Sequence, residues 1–196
     1  MTNPFDPGYF SELELKQVGF KSLGNNVLIA KNCTILGLAN IEIGNNVRID
    51  GYSSIIATDG GSLRLGSFIH IGGHCFLSAG DGIVMEDFSG LSQGVRIYSR
   101  SDDYSGQYLT NPTIPKKFSG GTRGKVTLCR HVIVGSGSVI LPRVTIEEGS
   151  SIGALSLVSK SLASWGIYVG RPAKKIKNRS RNLLELETQL LRESSR

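Results

Sequence analysis

Three histidines, His70, His74 and His131, are the side chains of this 196-residue chain whose charge changes nearest neutral pH. A positioned imidazole can act as a general base, worth typically about 10²- to 10⁴-fold in rate, and three converging on one point can hold a zinc ion. His70 and His74 lie together in "SFIHIGGHCFLSAGDG", and His131 stands beside Arg130 in "LCRHVIVG". Asp102 and Asp103 are adjacent carboxylates in a Gly- and Ser-rich stretch. A carboxylate accepting an imidazole N–H fixes the tautomer and stabilises the imidazolium; the plainer role for such a pair is to make Asx turns. Arg171, Lys174, Lys175 and Lys177, with Lys160 nearby, cluster cationic charge near the C-terminus. Charge clustered in this way suits phosphate, because screening limits the effect to about 8–10 Å.

The elements that must position these groups are written in a period of six. In "VIVGSGSVILPRVTIEEGSSIGALSLVSK", aliphatic residues recur at Val134, Ile140, Ile146, Ile152 and Val158, and four places on stand Ser138, Val144, Ser150 and Ser156. Helices repeat near 3.6 residues and half-buried strands near 2, so neither explains it. A solenoid does: each hexad, [LIV]-[small or acidic]-x-x-[Ser/Thr/Ala/Val]-x, makes one short flat face and a turn, and three hexads close a triangular coil. Further runs occur at Leu23, Ile29, Ile35 and Ile41; Ile43, Ile49 and Ile55; Leu65, Ile71 and Leu77; and Met85, Leu91 and Ile97. The register places His70 just before inward Ile71, on a flat face, and His74 just before inward Cys75, at a corner. Both therefore point outward, and Gly72 and Gly73 between them allow close approach to the backbone. His131 falls at an outward turn, as a solvated corner residue. From Ser99 to Lys125 the period disappears and Gly, Pro, Asn and Asp collect, which predicts a loop outside the solenoid.

The predicted division is residues 1–22 as an N-terminal cap, 23–164 as the solenoid with loop 99–125, and 165–196 as a C-terminal segment and helix. "FSELELKQVGF" predicts a short helix over the first coil. Ser180 is placed to cap a helix carrying Leu183, Leu184, Leu186, Leu190 and Leu191, which would cover the exposed end of the solenoid. The N-terminus lacks the basic and apolar regions of a signal peptide, and no apolar run is long enough to cross a membrane. The net charge is +6, concentrated from Arg171 to Arg196, which favours a local anionic ligand over nucleic acid. Cys33 and Cys75 occupy the small interior position and Cys129 follows a large one, so all three read as packing residues, consistent with reducing cytoplasm.

The repeat, the segment "GALSLVSKSLASWGIYVGRPAKKIK" and the loop "RIYSRSDDYSGQYLTNPTIP" resemble the hexapeptide-repeat acyltransferases, over roughly Leu23 to Lys177. The resemblance implies an all-β solenoid, a left-handed parallel β-helix with a protruding loop and a C-terminal helix. It implies transfer of an acetyl group from acetyl-CoA to a hydroxyl or amine of a sugar or nucleotide-linked sugar, in polysaccharide biosynthesis. It also implies a homotrimer with sites between subunits and no metal.

Under that reading one of His70 and His74 is the base, with His70 favoured, and Asp102 or Asp103 orients it or binds the sugar. Tyr104, Tyr108 and Asn111 stack on or hydrogen-bond the sugar. The family's Asn-His pair is missing from the loop, which reads Ser99-Arg100-Ser101-Asp102-Asp103. Pantetheine amides would meet the backbone near Gly135, Gly153 and Ala154. The nucleotide end would lie at the Gly170-Arg171-Pro172 turn, its phosphates on Arg171, Lys174, Lys175 and Lys160 and its adenine on Trp165. Two other classes stay open: a trimeric zinc enzyme of carbonic-anhydrase type, which needs three converging histidines, and a non-catalytic scaffold.

Overall fold

The computed structural model describes residue 3 and residues 5–194. Strands of two to five residues stack into three sheets that form the faces of a triangular solenoid. Successive hexads visit successive faces: Val134 lies on the second face, Ile140 on the third, Ile146 on the first and Ile152 on the second again. Eighteen residues therefore close a coil, and Val134 pairs in parallel with Ile152, Ile140 with Val158 and Leu128 with Ile146. In the earlier coils short bulges lengthen the step, and Ile49 pairs with Ile71.

Each aliphatic of the repeat points inward. Ile29, Ile49, Ile71, Leu91, Val134 and Ile152 form one buried stack, each worth about 1.5–3 kcal/mol relative to exposure. The small position holds Ser53, Ser138, Ser150 and Ser156, whose hydroxyls donate to coil carbonyls, so their burial leaves no orphan. Corners need left-handed backbone, and unusually for non-glycine residues Asn26, Asn46, Phe68, Phe88, His131 and Trp165 supply it along one edge.

Helix α1, Glu12–Gln17, covers the first coil as expected, with a capping box between Ser11 and Glu14 and Leu15 buried. The loop leaves the solenoid, and Arg100–Asp102 pairs antiparallel with Gly121–Arg123, so its base is a two-stranded ribbon. The C-terminal helix departs from expectation. Strand Lys174–Asn178 turns back antiparallel on Gly166–Val169, and α2, Leu183–Ser194, packs beside the coils instead of over their end. Glu187 of α2 pairs with Arg130 and His131, and Arg179 donates to the carbonyls of His131 and Gly149. His131 is consequently 7% exposed and not a solvated corner residue. No described helix is long and apolar enough to cross a membrane.

Candidate active site

The second face stacks Val27–Ile29, Val47–Ile49, Ile69–Ile71, Gly90–Leu91, Ile133–Val134, Ser151–Ile152 and Gly166–Val169. Strand alternation sends Ile69 and Ile71 inward and His70 outward, midway across the face. His70 Nε2 lies 2.8 Å from Asp50 Oδ2. The other Asp50 oxygen accepts Arg48 Nε at 2.6 Å and the Tyr9 hydroxyl at 3.3 Å. Partial burial acts to raise the Asp50 carboxyl, but hydrogen bonds and charge from His70 and Arg48 outweigh it and hold the group below its ordinary range. Asp50 is thus an ionised acceptor for His70 Nε2–H. Whenever the ring is neutral, that donation leaves Nδ1 with a lone pair, which is what a general base requires.

Two edges flank this face. Along one, backbone hydrogen bonds stack the corners at Phe68, Phe88, His131, Gly149 and Trp165. The Phe68 and Phe88 rings stack at 4.7 Å, and Phe88 on His131 at 5.2 Å. Between this edge, the face and α2 lies a groove of about 560 Å³, lined by His70, Gly90, Ile133, Leu183, Leu186 and Leu190 among others. Along the other edge the corners run through Gly73, Gly94, Gly137 and Leu155 to Gly170. A cavity of about 360 Å³ opens there, between Asp50, His70, Gly72, Ser92, Gln93 and Ser136.

The loop builds two further cavities, of about 620 and 670 Å³, which share Asp102, Tyr104 and Ser101. Asn111, Lys116 and Arg123 line the first and Tyr108 the second. Arg100 anchors the ribbon, with Nε 2.7 Å from Asp81 and Nη2 on the Gly80 carbonyl.

No family model matches the chain. It is 41% identical over 180 residues to the dTDP-4-amino-4,6-dideoxy-D-glucose acyltransferase of Escherichia coli, a match that covers 92% of this chain and 93% of the relative. The chain belongs to the hexapeptide-repeat acyltransferases. AntD, an N-acyltransferase from Bacillus cereus crystallised with dTDP and 3-hydroxybutyryl-CoA, superposes with a TM-score of 0.92 at 42% identity, over 96% of this chain and 99% of that one. A serine variant of AntD has been solved with dTDP-4-amino-4,6-dideoxyglucose and coenzyme A. A hexapeptide-repeat acetyltransferase from Vibrio cholerae, 16% identical with a TM-score of 0.56 over 87% of this chain and 82% of that one, shares the fold.

In this acyltransferase the expected site residues separate into groups. His70 stands on the open face; His74 sits at a corner, stacked on Tyr52 at 5.0 Å. His131 lies at the opposite corner, so within the chain the three histidines do not meet. The carboxylate beside His70 is Asp50, not Asp102 or Asp103. Asp103 instead accepts the N–H groups of Ser105, Gly106, Gln107 and Tyr108 and shapes the loop. Asp102 Oδ2 accepts the Asn111 N–H at 3.3 Å and lines both loop cavities with Tyr104.

Gly153, Ala154, Gly170 and Arg171 gather at or beside the open edge, and Gly135 enters the same corner. The amides of Gly135 and Gly153 donate to the Ile152 and Tyr168 carbonyls within the coils. Pro172 follows a cis peptide in the hairpin turn, and Arg171 Nε donates to Leu155 O at 2.7 Å. Lys174 and Lys175 are exposed on the edge strand and Lys160 on the last coil. Trp165 is the clearest correction. Strand Gly166–Val169 separates it from Gly170 by about 16 Å of extended chain. It is 7% exposed, with the Arg181 guanidinium 5.0 Å above its ring. The ring is thus closed off by the chain itself and stands on the edge opposite the Gly170-Arg171-Pro172 turn.

Sequence reasoning did not find Asp50, Arg48 or Tyr9. The available signal was Arg48-x-Asp50: Arg48 lies on the strand Val47–Ile49, which pairs with the His70 strand one coil later, and Asp50 directly follows it. It becomes legible once the two- and four-residue bulges between coils are placed.

Proposed function

We propose that this chain transfers an acyl group from an acyl-CoA to the 4-amino group of a dTDP-linked 4-amino-4,6-dideoxy sugar, as a homotrimer. The observation that carries the reading is the near full-length match to relatives named for that substrate and crystallised with its nucleotide and coenzyme A. The amine attacks the thioester carbonyl, forming the N–C bond. His70 Nδ1 takes its proton while Asp50 stabilises the imidazolium, and the C–S bond breaks as His70 returns the proton to the departing thiolate. No acyl-enzyme is needed.

The pantetheine arm runs from the His70 cavity along the open edge, past Gln93, Ser136 and Leu155. Corners there repeat about every 4.8 Å, and the row ends at Arg171 and the lysine-bearing hairpin, where the cofactor phosphates bind. The loop cavities receive the nucleotide sugar: Tyr104 and Tyr108 offer ring faces, Lys116 and Arg123 face the diphosphate, and Asp102 holds the amine. Substituted AntD structures carry changes at one serine and one aspartate ten residues apart. Ser92 and Asp102 have that separation here, one beside His70 and the other in the loop. Bringing them to one substrate calls for the loop of a neighbouring subunit to close over the second face.

The test is thiol release from acyl-CoA with dTDP-4-amino-4,6-dideoxyglucose, its 4-hydroxy counterpart and the free amino sugar. Turnover restricted to the nucleotide-linked amine is expected. A preference for the hydroxyl compound or the free sugar would overturn the acceptor assignment.

A further inference from the structure

Resting on that reading, we propose that the groove under α2 is a subsite for the acyl chain of the donor, and that the enzyme prefers acyl groups longer than acetyl. Three observations carry this. The groove and the open-edge cavity adjoin, with His70, Gly90 and Ile133 lining both. A thioester carbonyl placed at His70 therefore has two exits. The open exit is polar, with Ser92, Gln93 and Ser136, and suits pantetheine amides. The exit under α2 is apolar, with Phe68, Phe88, Ile133, Leu183, Leu186 and Leu190.

Second, the polar groups in that groove are already engaged. Glu187 is held by Arg130 and His131, and Arg179 by backbone carbonyls. What remains for a ligand is hydrocarbon and ring surface. Third, the way in is kept clear by a missing side chain. Gly90 is the outward residue beside His70, and a Cβ built there meets just the His70 carbonyl oxygen, at an ordinary 3.5 Å. The coil does not require glycine at this position, since its φ is not left-handed; the space is what the residue provides. A two-carbon group would leave most of the groove unfilled, whereas each methylene placed on an apolar wall is worth about tenfold in discrimination.

The experiment compares kcat/KM for butyryl-CoA and acetyl-CoA with the same dTDP-amino sugar. For the wild-type chain the ratio is expected to favour butyryl by about tenfold or more. Gly90→Leu, which fills the passage from the coil, and Leu186→Trp, which fills it from the half-exposed helix surface, should each lower that ratio about tenfold. The helix variant tests the idea even if the strand variant does not fold. Turnover with acetyl preferred, or a ratio that neither variant moves, would overturn the subsite while leaving the acyltransfer reading intact. Absence of turnover with either thioester in the wild-type chain would overturn that reading and the subsite with it.

Discussion

The protein carries two histidine–carboxylate pairs of nearly the same length, His70–Asp50 at 2.8 Å and His131–Glu187 at 2.9 Å. Their surroundings are opposite. The His70 side chain is 55% exposed on an open face, whereas His131 is 7% exposed beneath α2 with its carboxylate 10% exposed. The first carboxylate comes from the rigid coil below, is bound by Arg48 and Tyr9, and aims a ring at solvent. The second comes from the C-terminal helix and, with Arg130, ties that helix to the coils. Equal bond geometry therefore does not mean equal function: exposure leaves the first ring open to a reacting atom, as the proposed base role requires, and burial makes the second a fastening.

The largest effect that separates the pairs is on turnover. His70→Asn should lower kcat by about 10²- to 10⁴-fold, the usual contribution of a positioned base, while Tm stays near that of the parent. A variant retaining more than a tenth of the parental kcat would remove His70 from the mechanism. Asp50→Asn leaves the ring in place but weakens the hold on its tautomer, so a smaller loss of about ten- to a hundredfold in kcat is expected, with KM for acyl-CoA little changed. A loss confined to KM would make Asp50 a binding residue instead.

Glu187→Gln reads the other pair. Removing the charge leaves Arg130 and the buried His131 ring poorly partnered, at a cost of about 1–3 kcal/mol, which in a chain of this size lowers Tm by about 3–10 °C. Thermal unfolding checks it, and an unchanged Tm would mean that α2 is held by its leucines alone.

The contrast also marks what the sequence makes legible. The solenoid, its loop and the outward direction of His70 follow from a strict period, because every sixth aliphatic has to point inward whatever else the chain does. The partners of the histidines depend on register between coils, and that register shifts wherever a bulge adds residues: Val134 pairs eighteen residues on, Ile49 twenty-two. Asp50 could not be set beside His70 without those bulges, so Asp102 and Asp103 stood out by composition. Likewise α2 was readable as an amphipathic helix, but the Lys174–Asn178 strand that returns it alongside the coils follows from a tertiary hairpin. The burial of His131 and the enclosure of Trp165 both follow from that return.

The smallest expected effect sharpens the account of Asp50 itself. Its carboxyl is held below the ordinary value against the opposing pull of partial burial. A group whose pKa is lower folded than unfolded stabilises the fold above its unfolded pKa, near 3.9 for aspartate, and loses that contribution as pH falls through the folded pKa. The difference in Tm between the parent and Asp50→Asn should therefore be greatest at neutral pH, small because the His70 ring is half exposed and screened by solvent. It should begin to shrink below about pH 4, where the unfolded chain takes up the proton first, and vanish once the folded carboxyl is also neutral at lower pH. A difference that stayed constant down to the lowest pH at which the fold survives would mean that shape, not charge, accounts for the stability Asp50 contributes. The tautomer argument for His70 would then lose its electrostatic support.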